Sequence, residues 1–377
     1  MTAMARETQQ RAKTLWVRTP TARYSVWVGA GLLTQSGRRI KSLRPGCRQV
    51  FVISSPRVWR LHGTTLAAGL RAAGIRAEAL LMNDREQAKR LETVERLAGR
   101  LLECGADRGA LLVALGGGVV GDVTGFLAAS YMRGVEYLQV PTTLVAQVDS
   151  AIGGKTGVNL RGGKNLLGAF HHPLAVLADV RTLDTLPERE YRSGLYEVVK
   201  CAVLGDASLF RFLERNMAAV LAREPRALRT ALGRALGVKA RIVGRDEHDR
   251  GERRLLNLGH TFGHAFETLS GYRGLRHGEA VAWGMVAATR LAQRLGLLPE
   301  RDARRILCVV VSVGRLPALP RVRPERVYAQ LFADKKKQDR ELRFVLPRRI
   351  GRAEVVEGVS RGDILASLRN LSNAVSA

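Results

Sequence analysis

The chain changes its pattern near residue 180, and this change limits the folds that it can adopt. Before that point, short apolar runs such as YSVWVG, RQVFVISS and GALLVAL alternate with helical patterns such as LETVERLAGRLLECG. Such alternation predicts βαβ units that build a parallel sheet. Beyond that point, long stretches have helical periodicity and few strand signals. The sequence therefore predicts an α/β N-terminal domain with a Rossmann-like parallel sheet, followed by a mostly α-helical C-terminal domain.

This pattern divides the chain into three segments. We expect a flexible N-terminal tail over 1–14, a nucleotide-binding α/β domain over 15–180, and a helical domain over 181–377. Ligand sites occur preferentially at domain interfaces, so we expect the active site in the cleft between the two domains.

The cysteines and the apolar runs bear on the compartment. Cys47, Cys104, Cys201 and Cys308 are far apart and form no CxxC pair, which predicts reduced thiols. No apolar run approaches the roughly 20 residues that a membrane span needs. The N-terminal segment lacks the apolar core of a signal peptide. We therefore expect a cytoplasmic protein without a membrane partner.

The formal net charge of +27 raises the question of nucleic-acid binding. However, the basic residues are spread along the chain, and aromatic residues are only 5% of it, too few for base-stacking platforms. A solvated, arginine-rich surface accounts for the charge better, and an anionic substrate would be attracted by the same field. We expect no nucleic acid among the partners, and keep a basic nucleic-acid-binding protein as the alternative from a different class.

A glycine-rich turn follows the apolar run LLVAL. Gly116, Gly118 and Gly121 satisfy GxGxxG between a predicted buried strand and a predicted helix. In that position, glycines let the backbone approach a pyrophosphate at the N-terminus of the helix. The motif stands more than 100 residues into the chain rather than in the opening βαβ unit, so a tight structural turn is the alternative. The pattern favours dinucleotide binding.

Polar side chains and glycines are interleaved in VPTTLVAQVDSAIGGKTGVNLRGGKNLLGAFHHP. Within this stretch, Lys155 and Lys164 stand beside small residues that expose the backbone. A single lysine is usually a solvated surface residue. This arrangement, however, suits the capture of a phosphate by ammonium charges and amide N–H groups, and it predicts an anion site.

Histidines in the second half suggest a metal site. His260 and His264 stand four apart in a predicted helix, so both side chains point the same way. A catalytic zinc takes three protein ligands and leaves one position open. Spacing alone allows either His260, His264 and one acid, or His260, His277 and Glu197. For each histidine, a helix cap or a hydrogen bond in the core is the alternative.

Together these blocks resemble the 3-dehydroquinate synthase family. The resemblance runs from about residue 25 to 370 and rests on GGGVVGDVTGF, ASYMRG, VPTTLVAQVDSAIGGKTGVN, GKNLLGAF and LLNLGHTFGHAFE followed by HGEAVAWGM. It implies a carbon–oxygen lyase of the shikimate pathway, which leads to chorismate and the aromatic amino acids. Such an enzyme converts 3-deoxy-D-arabino-heptulosonate 7-phosphate to 3-dehydroquinate and phosphate. NAD acts there as a catalyst, because the hydride that it accepts is later returned.

The resemblance also implies cofactors. The family binds NAD and one divalent metal, Zn2+ or Co2+. The metal ligands would be Glu197, His260 and His277. The positions that match the family's contacts to NAD are Asp84, Glu86, Lys89, Gly117, Gly118, Val119, Gly121, Asp122, Thr142, Thr143, Lys155, Lys164, Thr182, Leu183 and Thr185.

The substrate contacts are implied in the same way. The matching positions are Asp149, Lys155, Asn165, Lys200, Lys239, Arg253, Asn257, His264, Lys335 and Lys336. Which of the last two lysines would contact the phosphate stays open. The family is usually a homodimer, so Arg133 would reach the phosphate site of the neighbouring subunit. His264 would then face the substrate rather than the metal.

Three positions depart from the family's pattern. Ser55 replaces a usual asparagine near the nucleotide, Arg85 replaces the glycine of a DGEQYK segment, and Asp249 replaces a glutamate. The nearest alternatives are other sugar-phosphate cyclases, such as aminodehydroquinate synthase, but this chain keeps the DSAIGGKT segment that several of them alter. Group III alcohol dehydrogenases share the two-domain plan but lack the lysine arrangement around DSAIGGKT and GKN.

Overall fold

The computed structural model describes residues 12–271, 274–319, 322–333, 342–369 and 371. The chain folds into two compact units. The first unit runs to Pro187 and also contains Leu228–His248, whereas the second contains Glu188–Ala227 and the chain from Asp249 onward. The sequence analysis did not foresee that residues 228–248 return to the first unit.

A seven-stranded sheet forms the centre of the first unit, in the order β1-β2-β9-β6-β5-β3-β4. Its strands are β1 (Lys13–Arg18), β2 (Arg23–Gly29), β3 (Gln49–Ser54), β4 (Arg76–Leu81), β5 (Leu111–Gly116), β6 (Glu136–Pro141) and β9 (Ala175–Asp179). β1 pairs antiparallel with β2, and the other neighbours pair parallel. Every residue of β5 is buried, as expected for a parallel strand covered on both faces. The predicted parallel sheet is confirmed.

Helices cover both faces of this sheet. They are α1 (Ser36–Leu43), α2 (Thr64–Arg71), α3 (Leu91–Glu103) and α4 (Gly118–Ser130). One core includes Leu97 of α3 and Leu127 of α4, and the other includes Ile40 of α1 and Leu66 of α2. A separate antiparallel hairpin, β7 (Lys155–Leu160) and β8 (Gly163–Phe170), packs against α4.

The second unit is mostly helical, as predicted. Its helices are α5 (Glu188–Gly205), α6 (Ala207–Leu221), α8 (His260–Leu269), α9 (His277–Arg294), α10 (Glu300–Ser312), α11 (Pro324–Ala333) and α12 (Arg361–Leu368). Between α6 and α8, α7 (Pro225–Arg245) runs from the second unit into the first. The strands β10 (Phe344–Arg349) and β11 (Arg352–Val356) form a small hairpin. α9 is buried along most of its length, because α5, α8, α10 and α12 pack around it.

In the described part of the chain, no helix combines the length and the apolar character that a membrane crossing requires. All four cysteines are free thiols.

Candidate active site

The predicted site residues fall into both units. The first unit contains Asp84, Glu86, Lys89, Gly117, Gly118, Val119, Gly121, Asp122, Arg133, Thr142, Thr143, Asp149, Lys155, Lys164, Asn165, Thr182, Leu183, Thr185 and Lys239. The second contains Glu197, Lys200, Arg253, Asn257, His260, His264 and His277. Lys335 and Lys336 lie outside the described residues.

In the first unit, the glycine-rich turn joins the end of β5 to the start of α4. Gly117 precedes the first turn of α4, and the N–H of Thr142 donates to the carbonyl oxygen of Gly116 at 2.9 Å. A Cβ atom on Gly117 would lie 3.2 Å from Thr143 Cγ2, so the two predicted nucleotide segments already touch. The turn therefore leaves backbone N–H groups accessible at a helix N-terminus, an arrangement that favours a phosphate group.

Gln147 connects two of these segments, and the sequence analysis missed it. Its side chain is fully buried, and Nε2 donates to the carbonyl oxygens of Pro141 and Asp179 at 3.1 and 2.9 Å. Nε2 also lies 3.1 Å from Thr182 Oγ1. The available signal was an amide side chain in the apolar run TTLVAQV. Gln147 thus holds the end of β6 against the turn that carries Thr182.

Lys89 brings the DREQAK segment to α4 and to the β7–β8 hairpin. Its buried Nζ forms an ion pair with Asp122 and a hydrogen bond with Asn165 Oδ1. Burial raises the pKa of Asp122, an effect that the charge of Lys89 opposes. Asn159 on β7 donates to Glu86 Oε1 at 2.8 Å. These contacts assemble three separate sequence segments.

The hairpin separates the two lysines of the predicted anion site. Lys155 begins β7 and pairs with Phe170, whereas Lys164 stands beside the turn at the other end of the ribbon. At roughly 3.3 Å per residue, their backbones are about 13 Å apart along the strands. Both side chains are exposed. The two lysines therefore mark opposite ends of one surface.

Lys239 on α7 forms an ion pair with Asp149, two residues that the family resemblance assigned to the substrate. The same ammonium lies 2.5 Å from the carbonyl oxygen of Asp149.

Arg133 is exposed and follows Met132 in a turn where both residues have positive φ angles, 71° and 47°. Residues other than glycine adopt positive φ angles only at a cost in free energy, so this turn holds the backbone of Arg133 in an uncommon conformation.

In the second unit, close helix packing brings the predicted metal ligands together. A Cβ atom on Gly278, next to His277, would lie 1.8 Å from the carbonyl oxygen of Ser193 on α5. Glu197 is one turn further along α5 and is fully buried. A Cβ atom on Gly284 would likewise lie 1.8 Å from the carbonyl oxygen of Gly259, just before α8. Two glycines of α9 thus let α5 and α8 approach closely enough for their side chains to meet.

The ring nitrogens of the two histidines are arranged for one cation. The Nε2 atoms of His277 and His260 lie 3.4 and 3.8 Å from Glu197 Oε1. The Nδ1 atoms face hydrogen-bond acceptors, Glu267 Oε1 at 3.2 Å and the carbonyl oxygen of Leu258 at 3.3 Å. In the neutral form of each ring, a proton on Nδ1 leaves the Nε2 lone pairs pointing at the same place. The ligand atoms of Glu197, His260 and His277 all lie within 4.8 Å of one another.

The electrostatics of the cluster favour a positive charge. Burial and the charge of Lys200 lower the pKa of His260 to about 3, so this ring is neutral. Burial would raise the pKa of Glu197, but Lys200 and the two imidazoles outweigh it and hold the pKa well below its ordinary range. Burial would lower the pKa of His277, but Glu197 and Glu267 outweigh this effect and raise the pKa to about 10.

Two further predicted residues border this cluster. Lys200 Nζ lies 2.5 Å from Glu197 Oε2, and both side chains are buried. The exposed ring of His264 lies 5.5 Å from that of His260 and 6.3 Å from that of His277. The sequence analysis missed Glu267, although its spacing of seven from His260 places it on the same face of α8.

Arg253 and Asn257 belong to a 3₁₀ turn, Glu252–Asn257, that packs against α5. Arg253 is buried and Asn257 is exposed.

Among the departures from the family's pattern, Ser55 caps a helical turn by accepting a hydrogen bond from the N–H of Val58 at 3.3 Å. Asp249 has a φ angle of 59°, which an aspartate tolerates better than most side chains.

Comparisons with known proteins identify the family. The model of the 3-dehydroquinate synthase N-terminal domain matches residues 79–193, and that of the C-terminal domain matches 194–337. The 3-dehydroquinate synthase of Solibacter usitatus (strain Ellin6076) is 46% identical over 354 residues, covering 94% of this chain and 98% of that protein. The enzyme of Caulobacter vibrioides is 46% identical over 351 residues, covering 92% and 95%.

Solved structures share the fold. The 2-epi-5-epi-valiolone synthase ValA of Streptomyces hygroscopicus subsp. jinggangensis 5008, with NAD+ and Zn2+ bound, has a TM-score of 0.82 at 33% identity and covers 93% of this chain and 97% of its own. A 2-deoxy-scyllo-inosose synthase with carbaglucose-6-phosphate, NAD+ and Co2+ has a TM-score of 0.84 at 28% identity, covering 95% and 99%. With both family models matched along the chain, this protein belongs to the 3-dehydroquinate synthase family.

Proposed function

We propose that this protein converts 3-deoxy-D-arabino-heptulosonate 7-phosphate to 3-dehydroquinate and phosphate, with NAD and a divalent metal, Zn2+ or Co2+, as cofactors. Family membership supports the reaction. The observation that carries the proposal is the convergence of Glu197 Oε1 and two imidazole Nε2 atoms in one place. Cofactor-bound relatives support the choice of cofactors.

The donor set fits a catalytic zinc site. Glu197, His260 and His277 would hold the metal, and two nitrogens with one oxygen leave a fourth position open. Neither oxygen of Glu197 receives a hydrogen bond of normal geometry from the described residues, so Oε1 is available as a ligand. When bound, the metal supplies a Lewis acid that polarises a substrate hydroxyl. Lys200 keeps the carboxylate ionised by pairing with its other oxygen.

The first unit supplies a fitting cradle for the dinucleotide. The turn over 117–122 would face the pyrophosphate, because Gly117 and Gly118 leave the backbone uncovered where a helix begins. Lys89, with Asp122 and Asn165, fixes the segment that resembles the family's DGEQYK contact. When bound, NAD accepts a hydride from the substrate and later returns it, so the reaction consumes none.

We assign the remaining polar residues to the substrate. Lys239 is fixed by Asp149, and Lys155 stands six residues along the chain from that pair. Ammonium groups and Arg253 suit a phosphorylated keto acid, because each offers a positive charge to an anion. The exposed imidazole of His264 can hold or move a proton at its ring nitrogens on the substrate side of the metal cluster.

The assembly and the compartment are further parts of the proposal. We infer a homodimer in which Arg133 reaches the substrate phosphate of the neighbouring subunit. The uncommon backbone conformation at Met132 and Arg133 supports a specific role for this exposed side chain. Four free cysteines are consistent with a reducing compartment, and we expect the protein in the cytoplasm.

The test is a direct assay of the purified protein loaded with zinc and NAD. We expect phosphate release from the heptulosonate phosphate in equal amounts with dehydroquinate, and no net NADH. The matched control is H260A, which lacks one of the proposed metal ligands. No phosphate release from the loaded wild-type protein would contradict the proposed function.

A further inference from the structure

Two consecutive glycines, Gly153 and Gly154, connect two residues that we assign to the substrate. Asp149 precedes them at the end of a helical turn, and Lys155 follows them as the first residue of β7. Both glycines have positive φ angles, 103° and 67°, which non-glycine residues rarely adopt. The conformation of this turn therefore sets the distance between the carboxylate of Asp149 and the ammonium of Lys155.

His172 packs directly against this turn. A Cβ atom on Gly154 would lie 2.8 Å from both Cε1 and Nδ1 of the His172 ring. Two hydrogen bonds fix the turn from other sides: the N–H of Gly153 donates to Tyr24 Oη at 3.1 Å, and the N–H of His171 donates to the carbonyl oxygen of Gly154 at 2.8 Å. The ring of Tyr24 lies 5.6 Å from that of His172.

His172 is itself held by a buried carboxylate. Its Nε2 lies 2.7 Å from Glu247 Oε1, and the two side chains are only 9% and 3% exposed. Glu247 also accepts hydrogen bonds from the hydroxyl groups of Thr19, at 3.0 Å, and Thr21. A charge-assisted hydrogen bond in such a buried network is short and directional, so it fixes the plane of the imidazole ring.

Two residues of the segment that returns to the first unit contact the surroundings of the turn. Lys239 lies on α7 and contacts Asp149, whereas Glu247 follows α7 and contacts His172. One stretch of chain thus reaches both sides of the turn. Since neither His172 nor Glu247 is among the cofactor or substrate contacts proposed above, their effect on the reaction would be indirect.

We propose that His172 and Glu247 form a positioning pair that holds the Gly153–Gly154 turn and thereby orients Asp149 and Lys155 toward the substrate. The kinetic consequences of this inference rest on the proposed function. Its structural consequences do not, because the order of the turn can be measured without a substrate.

The test compares H172A with H172Q and with a neighbouring histidine variant, H171A. His171 makes a suitable control because its ring bonds to the carbonyl oxygen of Val135 at 2.9 Å and stacks on Tyr137, and because alanine keeps the backbone N–H that donates to Gly154. H172A should lower kcat/KM by about 100-fold, the cost of misplacing reacting groups by about 1 Å. The affinity for zinc should not change, because the proposed metal ligands all lie in the second unit.

The conservative variants separate orientation from packing. The amide of H172Q can still donate to Glu247, so it should recover kcat/KM to within about tenfold of wild type. E247Q keeps an acceptor oxygen but loses the charge, so its loss should be smaller than that of H172A. H172Q and E247Q also test the positioning role if H172A fails to fold.

Hydrogen–deuterium exchange of a peptide covering the Gly153–Gly154 turn gives the readout that needs no activity. We expect faster exchange there in H172A than in wild type or H171A. Wild-type exchange and wild-type kcat/KM in H172A would overturn the inference, and so would equal losses in H172A and H171A. If wild-type protein released no phosphate, the proposed function would fail, whereas the exchange data would still decide the positioning role.

Discussion

Lys200 and Glu197 stand one turn apart on α5 and form a buried ion pair in which Nζ lies 2.5 Å from Oε2. The other oxygen of the same carboxylate, Oε1, faces the imidazoles of His260 and His277. One carboxylate therefore serves two partners through two different atoms. This division keeps Glu197 ionised without occupying the oxygen that we assign to the metal.

Removing Lys200 should destabilise the metal-free protein. K200M removes the ammonium from a buried ion pair with Glu197, a change that costs about 3–5 kcal/mol in the free energy of unfolding. Zinc should restore part of the lost free energy of unfolding, because it binds the folded site and not the unfolded chain. Urea denaturation with and without zinc measures both effects. R304M, which breaks an exposed pair with Glu300, is the control and should change stability by about 1 kcal/mol or less. If zinc restored none of the stability lost in K200M, this would contradict the proposal that Lys200 and the metal share the Glu197 carboxylate.

The two histidines of α8 should behave differently. H260A should abolish stoichiometric zinc binding, since it removes one of three ligands. H264A should retain zinc but lose turnover, because its exposed ring lies beside the cluster rather than in it. Zinc content after gel filtration and phosphate release are the measurements. Equal loss of zinc from both variants would overturn the assignment.

Glu267 should strengthen zinc binding through His277. Its Oε1 accepts from Nδ1 at 3.2 Å, which orients the ring and fixes its tautomer. E267A should weaken zinc affinity by about 10–100-fold, as measured by competition with a chelator. E279Q is the matched control, because it removes a nearby charge on α9 while glutamine can still cap that helix. A stoichiometry of two zinc ions in wild type would instead indicate a second site at His264 and Glu267.

Zinc binding should depend on pH with a defined sign. The pKa of His277 is about 10 and that of His260 about 3, so near pH 8 the first ring carries a proton that zinc must displace and the second does not. Binding should release about one proton, and affinity should rise about tenfold per pH unit between pH 7 and 8.5. Titration calorimetry in buffers of different ionisation enthalpy measures the released proton. Binding without proton release would show that His277 is neutral beforehand.

The sequence predicted the parallel sheet and the helical second half, because residue periodicity reports directly on strands and helices. It also predicted the family, since long motifs stand in order along the chain. It did not predict where α7 packs, because an apolar helix face does not reveal which unit it covers. Spacing alone left two ligand sets for the metal. The close contact at Gly278 brings His277 near Glu197 on α5, and the close contact at Gly284 brings α9 near the start of α8, where His260 lies. The pair of His172 and Glu247 joins positions 75 residues apart, which no local pattern reports.

The return of residues 228–248 to the first unit has a consequence for protein engineering. A fragment that ends at Pro187 would contain the whole seven-stranded sheet but neither Lys239 nor Glu247. A chimaera that exchanged the two halves at one junction would combine the strands of one parent with the α7 helix of the other. Exchange of the first unit between relatives therefore needs three crossover points, near 187, 228 and 248, so that α7 moves with its own sheet.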